Sequence, residues 1–504
     1  MKGSTTPAIS RSLVAIVFLL GALVSFWFLL TNLHPIGPVK LLVPVVLFIG
    51  IFLIIKTFRP ELLHRAMAFF TDISTKRYFL IISLALVVAA GLMIRFYCYF
   101  RFSYDPSTDA DPNAIYSAAQ AIASGEGILG DVRTASCAYL STYMTLLSYP
   151  MLFIQDPWLA TILLNTAADL CGATIVMLLV KRIMKPSRVL QVLAFALWFL
   201  SPFGIVFSLL TLPNIVVNTC IVLVIYTCVM LIEHLLKGNT LKAFLFAPIV
   251  GIVMGIANCF RPIFPVAIIA LVIALILLLF LNKQVKKLGL ITIAAIIILA
   301  IPFGIIQRVQ IQLVSAQTGI AAPSSSGGFS FYVGANRDSN GRFNSTDWSY
   351  RQELIDNSPD IETAYAQLQA EAIDRYRSYG VLGTLDLFVN KLYVFSSDQN
   401  IMYNADSSIN GYQESRLAKI LDNYILIFCA FLYTACALLL IRSAKDSLHK
   451  NASPGVQTQA LFFICVLMLG FFLSDAFVEA AHRYAQIVYP LFIALATGIF
   501  VRGK

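Results

Sequence analysis

The sequence predicts an all-α polytopic membrane protein with about 12–13 transmembrane helices. Of its 504 residues, 59% are hydrophobic and only 12% are charged, whereas soluble domains contain roughly 45–50% apolar and about 25% charged residues. The apolar residues form separate runs, each close to the roughly 20 residues that cross a bilayer as a helix. Basic residues lie in the short gaps between these runs, as they do in cytoplasmic loops.

Twelve apolar runs are predicted as transmembrane helices because of their length and composition. They cover residues 12–30, 38–55, 79–100, 158–180, 189–210, 214–236, 243–260, 263–281, 288–306, 421–442, 458–474 and 484–501, and segment 137–154 is a thirteenth candidate. The first run is too long for a signal-peptide core and has no clear small-residue cleavage site. It is therefore expected to be a retained helix.

The positions of lysine and arginine predict the orientation of these helices. Basic clusters follow the second, fourth, sixth, eighth, tenth and twelfth runs. They all lie on the cytoplasmic side if the N-terminus is cytoplasmic and segment 137–154 does not cross the membrane. We therefore expect 137–154 to be a short extracytoplasmic or half-inserted helix.

Four polar features then share the extracytoplasmic face. They are the loop 101–157, the Arg261-Pro262 corner, the long polar stretch 307–417 and the corner 475–483. The predicted active site thus lies outside the cytoplasm, where neither ATP nor a nucleotide sugar is supplied.

This topology predicts four segments. They are an N-terminal two-helix extension with a cytoplasmic loop (1–78), a transmembrane core (79–306), an extracytoplasmic loop region with short helices (307–417) and C-terminal transmembrane helices (418–504).

The polar stretch 307–417 contains one clear helix signal. Ser358, Pro359 and Asp360 supply an N-cap, a first-turn proline and a first-turn acid, and an apolar face continues to about Gly380. This pattern predicts an amphipathic helix. Gly, Ser and Asn are dense in 323–344, which indicates turns and loop.

Asp109 and Asp111 begin the most informative stretch of the chain. Side chains two residues apart in an extended loop point to the same side, so the two carboxylates can face one site. One of them is a candidate general base, or the pair shares a divalent cation. The alternative is helix capping, with Asp111 as N-cap, Pro112 at the first helical position and Gly125 as the stop.

Three further groups have both a functional and a structural interpretation. Arg261 either holds a phosphate or reaches lipid headgroups. Glu479 and Arg483 have the spacing of an ion pair on one helix face, beside an interfacial tyrosine. The run Gly334–Asn344 either binds sugar hydroxyls or is a solvated loop.

Some classes of site are not supported by the sequence. The nine cysteines are scattered without CxxC or Cys/His clusters, so neither zinc nor a disulfide framework is expected. The net charge is +10, but no Lys/Arg-rich block resembles a nucleic-acid patch.

Taken together, the motifs resemble the GT-C glycosyltransferases, and more closely the bacterial family 39 and lipid A aminoarabinose transferase type. An aspartate in the first large loop is followed by Tyr, Ala and Gly at the family's spacing. Arg-Pro follows a mid-chain span, a Gly-x-Asn-like run precedes a later Asp, and Glu-x-x-x-Arg-Tyr precedes a final span. The residues are Asp111, Tyr116, Ala119 and Gly125; Arg261 and Pro262; Gly334 to Asp347; and Glu479, Arg483 and Tyr484.

The resemblance implies an enzyme that takes a sugar from a polyprenyl-phosphate carrier and transfers it to a glycan, lipid or protein hydroxyl. It implies Asp111 as base, Arg261 and Arg483 as phosphate ligands, and Asp109 as an assisting or cation-binding carboxylate. The expected substrate-binding residues are Tyr116, Arg261, Asn336, Arg337, Glu479, His482, Arg483 and Tyr484, with no metal ligand assigned.

This chain departs from the simplest family pattern in two respects. Two spans precede the one that leads into the aspartate loop, and no large C-terminal soluble domain follows. An attached acceptor-recognition module is therefore not expected.

Two alternative functions fit the same topology. A transporter or flippase of lipid-linked saccharides would place polar groups near the middle of the bilayer. An outer-face polysaccharide polymerase or ligase would use a similar site for different chemistry. Charge concentrated at the membrane rim favours an interfacial enzyme.

Overall fold

The computed structural model describes residues 8–33, 76, 78–108, 110–127, 132–184, 187–281, 285–325, 327–397, 403–448 and 455–500. The fold is all-α, as predicted. In chain order, α1 to α19 are Ala8–Leu33, Phe79–Arg101, Ala110–Ala123, Val132–Ser136, Ala138–Met151, Pro157–Met184, Arg188–Phe199, Pro202–Phe207, Asn214–Leu236, Thr240–Phe260, Pro265–Leu281, Val285–Thr318, Gly327–Gly334, Ser345–Asn357, Ile361–Ser396, Tyr403–Ser408, Arg416–Leu448, Val456–Asp475 and Tyr489–Ala496.

The strand content of the described residues is a single antiparallel pair. Strand β1 (Ser103–Tyr104) pairs with β2 (Ile409–Asn410), with Ser103 opposite Asn410. Three 3₁₀ turns, Pro106–Thr108, His482–Ile487 and Thr497–Phe500, complete the secondary structure. The strand pair ties the first large loop to the segment that follows α15.

Eight helices of the described chain are long and apolar enough to cross a membrane, which confirms a polytopic membrane protein. They contain Arg11–Asn32, Phe79–Arg101, Pro157–Met184, Asn214–Leu236, Thr240–Phe260, Gly289–Thr318, Arg416–Leu448 and Val456–Asp475. Each coincides with a predicted span. The predicted span 38–55 lies outside the described residues.

The three remaining predicted spans are short or interrupted, so eight of the predicted spans are long, continuous helices in the described chain. Span 189–210 is wrong as one helix, because Ser201 caps a new helix by accepting from the Gly204 N–H at 3.0 Å. Pro202 then occupies the first helical position, where proline is favoured. Span 263–281 is the 17-residue α11. Span 484–501 is divided between two 3₁₀ turns and the eight-residue α19.

Segment 137–154 contains α5, a helix of only 14 residues. At about 1.5 Å per residue, such a helix is roughly 21 Å long, less than the roughly 30 Å hydrocarbon core of a bilayer. This length agrees with the expectation that the segment does not cross.

Close helix approach holds the membrane bundle together at glycine positions. A β-carbon at Gly251 in α10 would collide with the main-chain carbonyl of Leu299 in α12. A β-carbon at Gly21 in α1 would collide with the Cys465 sulfur in α18. Small residues allow such backbone contact, which supplies the van der Waals packing that drives helix association in lipid.

The N-cap of the amphipathic helix in the polar region lies two residues later than predicted. Asp360, and not Ser358, is the N-cap of α15, and its carboxylate accepts from the Thr363 N–H at 2.7 Å. Ser358 instead ends α14, with its N–H bonded to the carbonyl of Ile355. Gly380 has φ 63° and ψ −176°, so the helix kinks at its predicted end and then continues to Ser396.

Two other parts of the polar region differ from the sequence prediction. Helix α12 continues past residue 306 to Thr318. The stretch 323–344 is not all loop, because it contains α13. Tertiary packing explains this helix: Gly328 lies against the main chain of Tyr365 so closely that a β-carbon would be 2.5 Å from its carbonyl oxygen.

A buried ion pair joins two membrane helices. Arg95 in α2 donates to Asp169 in α6 at 2.5 Å, and both side chains are at most 3% exposed. The same guanidinium donates to the Ser208 hydroxyl and to the carbonyl of Phe199, and it lies over the Phe199 ring. Arg95 lies in the predicted span 79–100 and Asp169 in the predicted span 158–180, and no local pattern in the sequence links them.

This pair predicts an asymmetry between single and double substitutions. Asp169→Asn should lower the melting temperature of the purified protein, because removing one partner of a buried pair costs about 3–5 kcal/mol. The double variant Arg95→Met/Asp169→Leu should recover most of the loss, since apolar side chains suit this environment. Thermal unfolding in detergent measures both, and a double variant no more stable than the single one would contradict a paired role.

Candidate active site

A cavity of about 210 Å³ lies where the ends of several helices meet. Helix α10 ends at Phe260, α18 ends at Asp475 and α9 begins at Asn214, and all three residues line the cavity. Its charged lining residues are Asp111, Arg261, Asp475, Glu479 and Arg483. The structure therefore brings the first large loop, the Arg-Pro corner and the 475–483 corner together at one end of the bundle.

Asp111 lies in the first turn of α3 and forms an ion pair with Arg483. The distance from Arg483 Nη2 to Asp111 Oδ2 is 2.7 Å, and each side chain is about 30% exposed. The start of α3 is anchored by the Thr211 hydroxyl, which donates to the Pro112 carbonyl at 2.9 Å. Asp111 thus lies inside the helix and not at the predicted N-cap, and its carboxylate contacts a guanidinium in the cavity.

The predicted end of this helix is confirmed. Helix α3 ends at Ala123, and Gly125 has φ +86°, a left-handed conformation that favours glycine. The Glu126 N–H bonds to the Ala121 carbonyl, as in a Schellman motif. The other predicted carboxylate, Asp109, lies outside the described residues.

Two arginines share the ring of Tyr484. The guanidinium carbon of Arg261 is 4.4 Å from the ring centroid, and that of Arg483 is 5.7 Å from it. The corner that presents Arg261 is held by Asn258, whose Oδ1 accepts from the Phe264 N–H at 3.2 Å. Within the described chain, Arg261 forms no ion pair. Its charge therefore faces the cavity without a bound carboxylate.

Glu479 does not pair with Arg483 as its spacing suggested. Residues 479–481 are not helical, and the 3₁₀ turn begins only at His482, so the i,i+4 geometry is not formed. The Tyr484 hydroxyl donates to Glu479 Oε1 at 3.4 Å, and Arg483 binds Asp111 instead. Burial raises the pKa of Glu479, while nearby Arg483 opposes this rise.

His482 and Tyr116 lie beside the cavity without lining it. His482 Nδ1 is 2.9 Å from both the hydroxyl and the carbonyl oxygen of Ser397, so it fixes the end of α15. Burial lowers the pKa of His482. The Tyr116 ring packs on Tyr104 with centroids 5.7 Å apart.

Asn336 and Arg337 are likewise placed away from the cavity lining. Asn336 Nδ2 donates to Asp347 at 2.8 Å, and its Oδ1 accepts from the main-chain N–H of Asp338. Arg337 forms an exposed ion pair with Asp386 at 3.0 Å. Both side chains organise the 334–347 loop and its contact with α15.

Lys391 supports the cavity and was not recognised in the sequence, where it is a single charge in an apolar run. It is fully buried in α15, and its Nζ donates to the carbonyls of Gly334 at 2.9 Å and Ala476 at 2.7 Å. Burial lowers its pKa to about 7, against the opposing effect of Asp475 and Glu479. Lys391 therefore joins the 334–347 loop to the corner that carries the cavity acids.

A divalent cation shared by Asp109 and Asp111 is one of the predictions from the sequence. The described residues contain no group of three or more His, Cys, Asp or Glu side chains arranged to hold a metal ion. Because Asp109 is not among them, a cation shared by Asp109 and Asp111 stays a prediction.

No protein-family model matches the chain, and no curated protein sequence matches it. Among solved structures, the chain is similar to the archaeal oligosaccharyltransferase AglB from Archaeoglobus fulgidus, determined in complex with an inhibitory peptide and a dolichol-phosphate. The sequence identity is 12% and the TM-score is 0.47, over 84% of this chain and 50% of that one. The chain thus spans half the length of that protein, and a similarity of this size defines neither a family nor an activity.

The buried Lys391 predicts a pH-dependent stability. Between about 7 and its ordinary value of 10.5, the unfolded chain keeps the Lys391 proton and the folded chain releases it, so the free energy of unfolding rises with pH. A neutral amine still has two N–H donors for its two carbonyl partners. In Lys391→Met this contribution is lost and the carbonyls are unsatisfied.

The melting temperature of wild type should therefore exceed that of Lys391→Met by a margin that grows between about pH 7 and about pH 9. Thermal unfolding of both proteins at several pH values measures this margin. A margin that is constant or shrinks over this range would show that Lys391 is not buried with a lowered pKa.

Proposed function

We propose that this protein is an integral membrane glycosyltransferase of the GT-C type. It transfers a sugar from a polyprenyl-phosphate carrier to a hydroxyl of a glycan, glycolipid or protein on the extracytoplasmic face. The observation that carries the proposal is the convergence of one carboxylate, Asp111, and two guanidiniums, Arg261 and Arg483, in one cavity at the helix ends.

The two arginines have the chemistry of a phosphate site. A guanidinium is permanently charged and donates two parallel hydrogen bonds to phosphate oxygens. Both guanidiniums lie over the Tyr484 ring. Arg261 forms no ion pair in the described chain, and Arg483 donates from Nη2 to Asp111. Fixed cations in a site of low polarity stabilise the negative charge that grows on a phosphate leaving group.

Asp111 is the proposed general base. A neighbouring cation favours the ionised form of a carboxylate, but the ion pair with Arg483 also occupies a carboxylate oxygen of Asp111. In the proposed reaction, the donor phosphate binds Arg483 and releases that oxygen for the acceptor hydroxyl. Asp111 takes the hydroxyl proton, the acceptor oxygen attacks the anomeric carbon, and the bond from that carbon to the phosphate oxygen breaks with inversion.

The walls of the cavity suit a lipid-linked donor. Apolar side chains form much of the lining, including Ile115, Leu140, Leu212, Phe260 and Ile487. Such walls exclude water and strengthen the electrostatic contacts within. A site at the ends of membrane helices also lets an isoprenoid tail remain in the bilayer while its phosphate reaches the arginines.

A transporter requires substrate-binding polar groups that are open to ligand within the membrane. Arg95 and Asp169, which are buried between membrane helices of the described chain, are bonded to each other, and neither lines the cavity. The open charges lie at the helix ends, which supports an enzyme acting at the membrane surface.

The first test of the proposal is substitution of the base. Asp111→Asn should lower the turnover number by about 10²–10⁴-fold, the usual contribution of a general base. The protein should remain folded, because the amide still accepts from Arg483. The assay uses the purified chain with a panel of polyprenyl-phosphate sugars and measures release of the free carrier phosphate.

Asp374→Asn is the matched control, because Asp374 is an exposed carboxylate whose ion pair in the described part of the chain is with Arg377 on α15. It should retain full activity. Full activity in Asp111→Asn would remove Asp111 from the role of base. If wild type neither turned over nor bound any donor, the glycosyltransferase proposal itself would be overturned.

The second test concerns the ring that holds the arginines. Tyr484→Phe keeps the aromatic face and should change the KM for the donor by less than about threefold, whereas Tyr484→Leu should raise it by about tenfold or more, as expected for loss of two cation–π contacts. Donor titrations at saturating acceptor measure both values. An equal rise of the donor KM in the two variants would show that the Tyr484 hydroxyl, and not its ring, supports donor binding.

A further inference from the structure

The carboxylate of Asp475 lies in the cavity, and the proposed reaction gives it no role. It is the last residue of α18, its residue exposure is only 4%, and it lines the same cavity as Asp111 and Arg261. Its Oδ2 atom has no hydrogen-bond partner among the described residues. A buried acceptor of this kind is costly unless something supplies a donor.

The ordinary structural explanations do not account for Asp475. It does not cap its helix, because the C-terminal end of a helix carries partial negative charge and disfavours a carboxylate. The nearest cation from α15, Lys391, directs its Nζ to the carbonyls of Gly334 and Ala476. Arg261 lies over the Tyr484 ring and forms no ion pair in the described chain.

The chemistry of the cavity identifies the missing donor. Its guanidiniums require a ligand with anionic acceptor oxygens, and Asp475 requires a ligand with O–H or N–H donors. A sugar linked to a phosphate presents both on one molecule, since its ring hydroxyls lie near the phosphate. A carboxyl group accepts hydrogen bonds from such hydroxyls, most strongly when it is ionised.

We propose that Asp475 binds ring hydroxyls of the donor sugar and thereby sets which sugar the enzyme accepts. This inference rests on the proposed glycosyltransferase function and adds a residue that contacts the sugar and not the phosphate. Asp475 is a specificity residue in this proposal, and Asp111 keeps the role of base.

The test uses Asp475→Asn, which keeps the shape, and Asp475→Leu, which removes the acceptor. The probes are polyprenyl-phosphate glucose, galactose, mannose and arabinose, followed by the 2-, 3-, 4- and 6-deoxy forms of the sugar that wild type uses best, wherever that sugar has the hydroxyl. Wild type should discriminate against at least one deoxy form by about 10–100-fold in kcat/KM, as a hydrogen bond to a charged group predicts. In Asp475→Leu this discrimination should fall to less than about threefold, mainly through a higher KM for the full sugar, and in Asp475→Asn, whose neutral amide oxygen still accepts, it should fall to a value between those of Asp475→Leu and wild type.

Asp169→Asn is the matched control, because Asp169 is equally buried in a membrane helix but is bonded to Arg95. It should lower the melting temperature and leave discrimination unchanged. Asp475→Asn should show the reverse, with a melting temperature equal to or above that of wild type, because no bonded partner is lost.

The outcomes separate the two proposals. If wild type transfers sugar and both Asp475 variants keep its discrimination, the assignment of Asp475 is wrong and the glycosyltransferase proposal stands. A loss of stability in Asp475→Asn without a change in discrimination would assign it a structural role and also overturn the inference. If wild type neither binds nor transfers from any donor, both proposals fail together.

Discussion

The ion pair between Asp111 and Arg483 is the contact on which the arrangement of the cavity depends. It joins residues 372 positions apart, one in the first large loop and one just before the final helical segment. Two partly buried charges at the end of a membrane bundle have little water to solvate them, so each requires the other. The two segments that carry them must therefore be placed accurately, and much of the surrounding structure does this.

On the side of the first loop, placement depends on a short chain of polar contacts. Thr211 donates to the carbonyl of Pro112 and lies 2.5 Å from the Tyr104 hydroxyl, and the Tyr104 ring stacks on Trp158.

On the other side, the non-helical corner after α18 needs partners for its main chain. The Glu479 N–H donates to the Ser330 carbonyl, and the Ala480 N–H donates to the Gly341 carbonyl. The Lys391 ammonium donates to the Ala476 carbonyl. Irregular backbone at membrane depth is tolerated only with such partners.

Whether a feature depends on local or on distant contacts decided whether the sequence could predict it. Eight spans were found because hydropathy is a property of each segment, and the stop at Gly125 because a left-handed residue has a local signature. The break at Ser201 was missed although Ser-Pro is a local signal, because apolar residues on both sides gave one continuous run.

The partners of the charged residues could not be predicted from spacing. The four-residue interval between Glu479 and Arg483 suggested a helical pair, but Arg483 has a stronger partner in Asp111, which no local pattern reveals. The same applies to Arg95 with Asp169 and to Lys391 with two main-chain carbonyls. Order along the chain and a shared face identified the segments of the site, while the three-dimensional packing determined which side chains reach it.

The balance of charge in the cavity explains why acids and arginines occur together. Three carboxylates, of Asp111, Asp475 and Glu479, face two guanidiniums. Burial raises the pKa of Glu479, which lowers the electrostatic cost of placing three acids in one cavity. In the proposed reaction an anionic phosphate then enters, and Arg483 exchanges one anionic partner for another. The released Asp111 then loses its negative charge when it takes the acceptor proton. An ion pair that looks like an obstacle to a general base is, in this arrangement, the means by which the base becomes available only when the donor is bound.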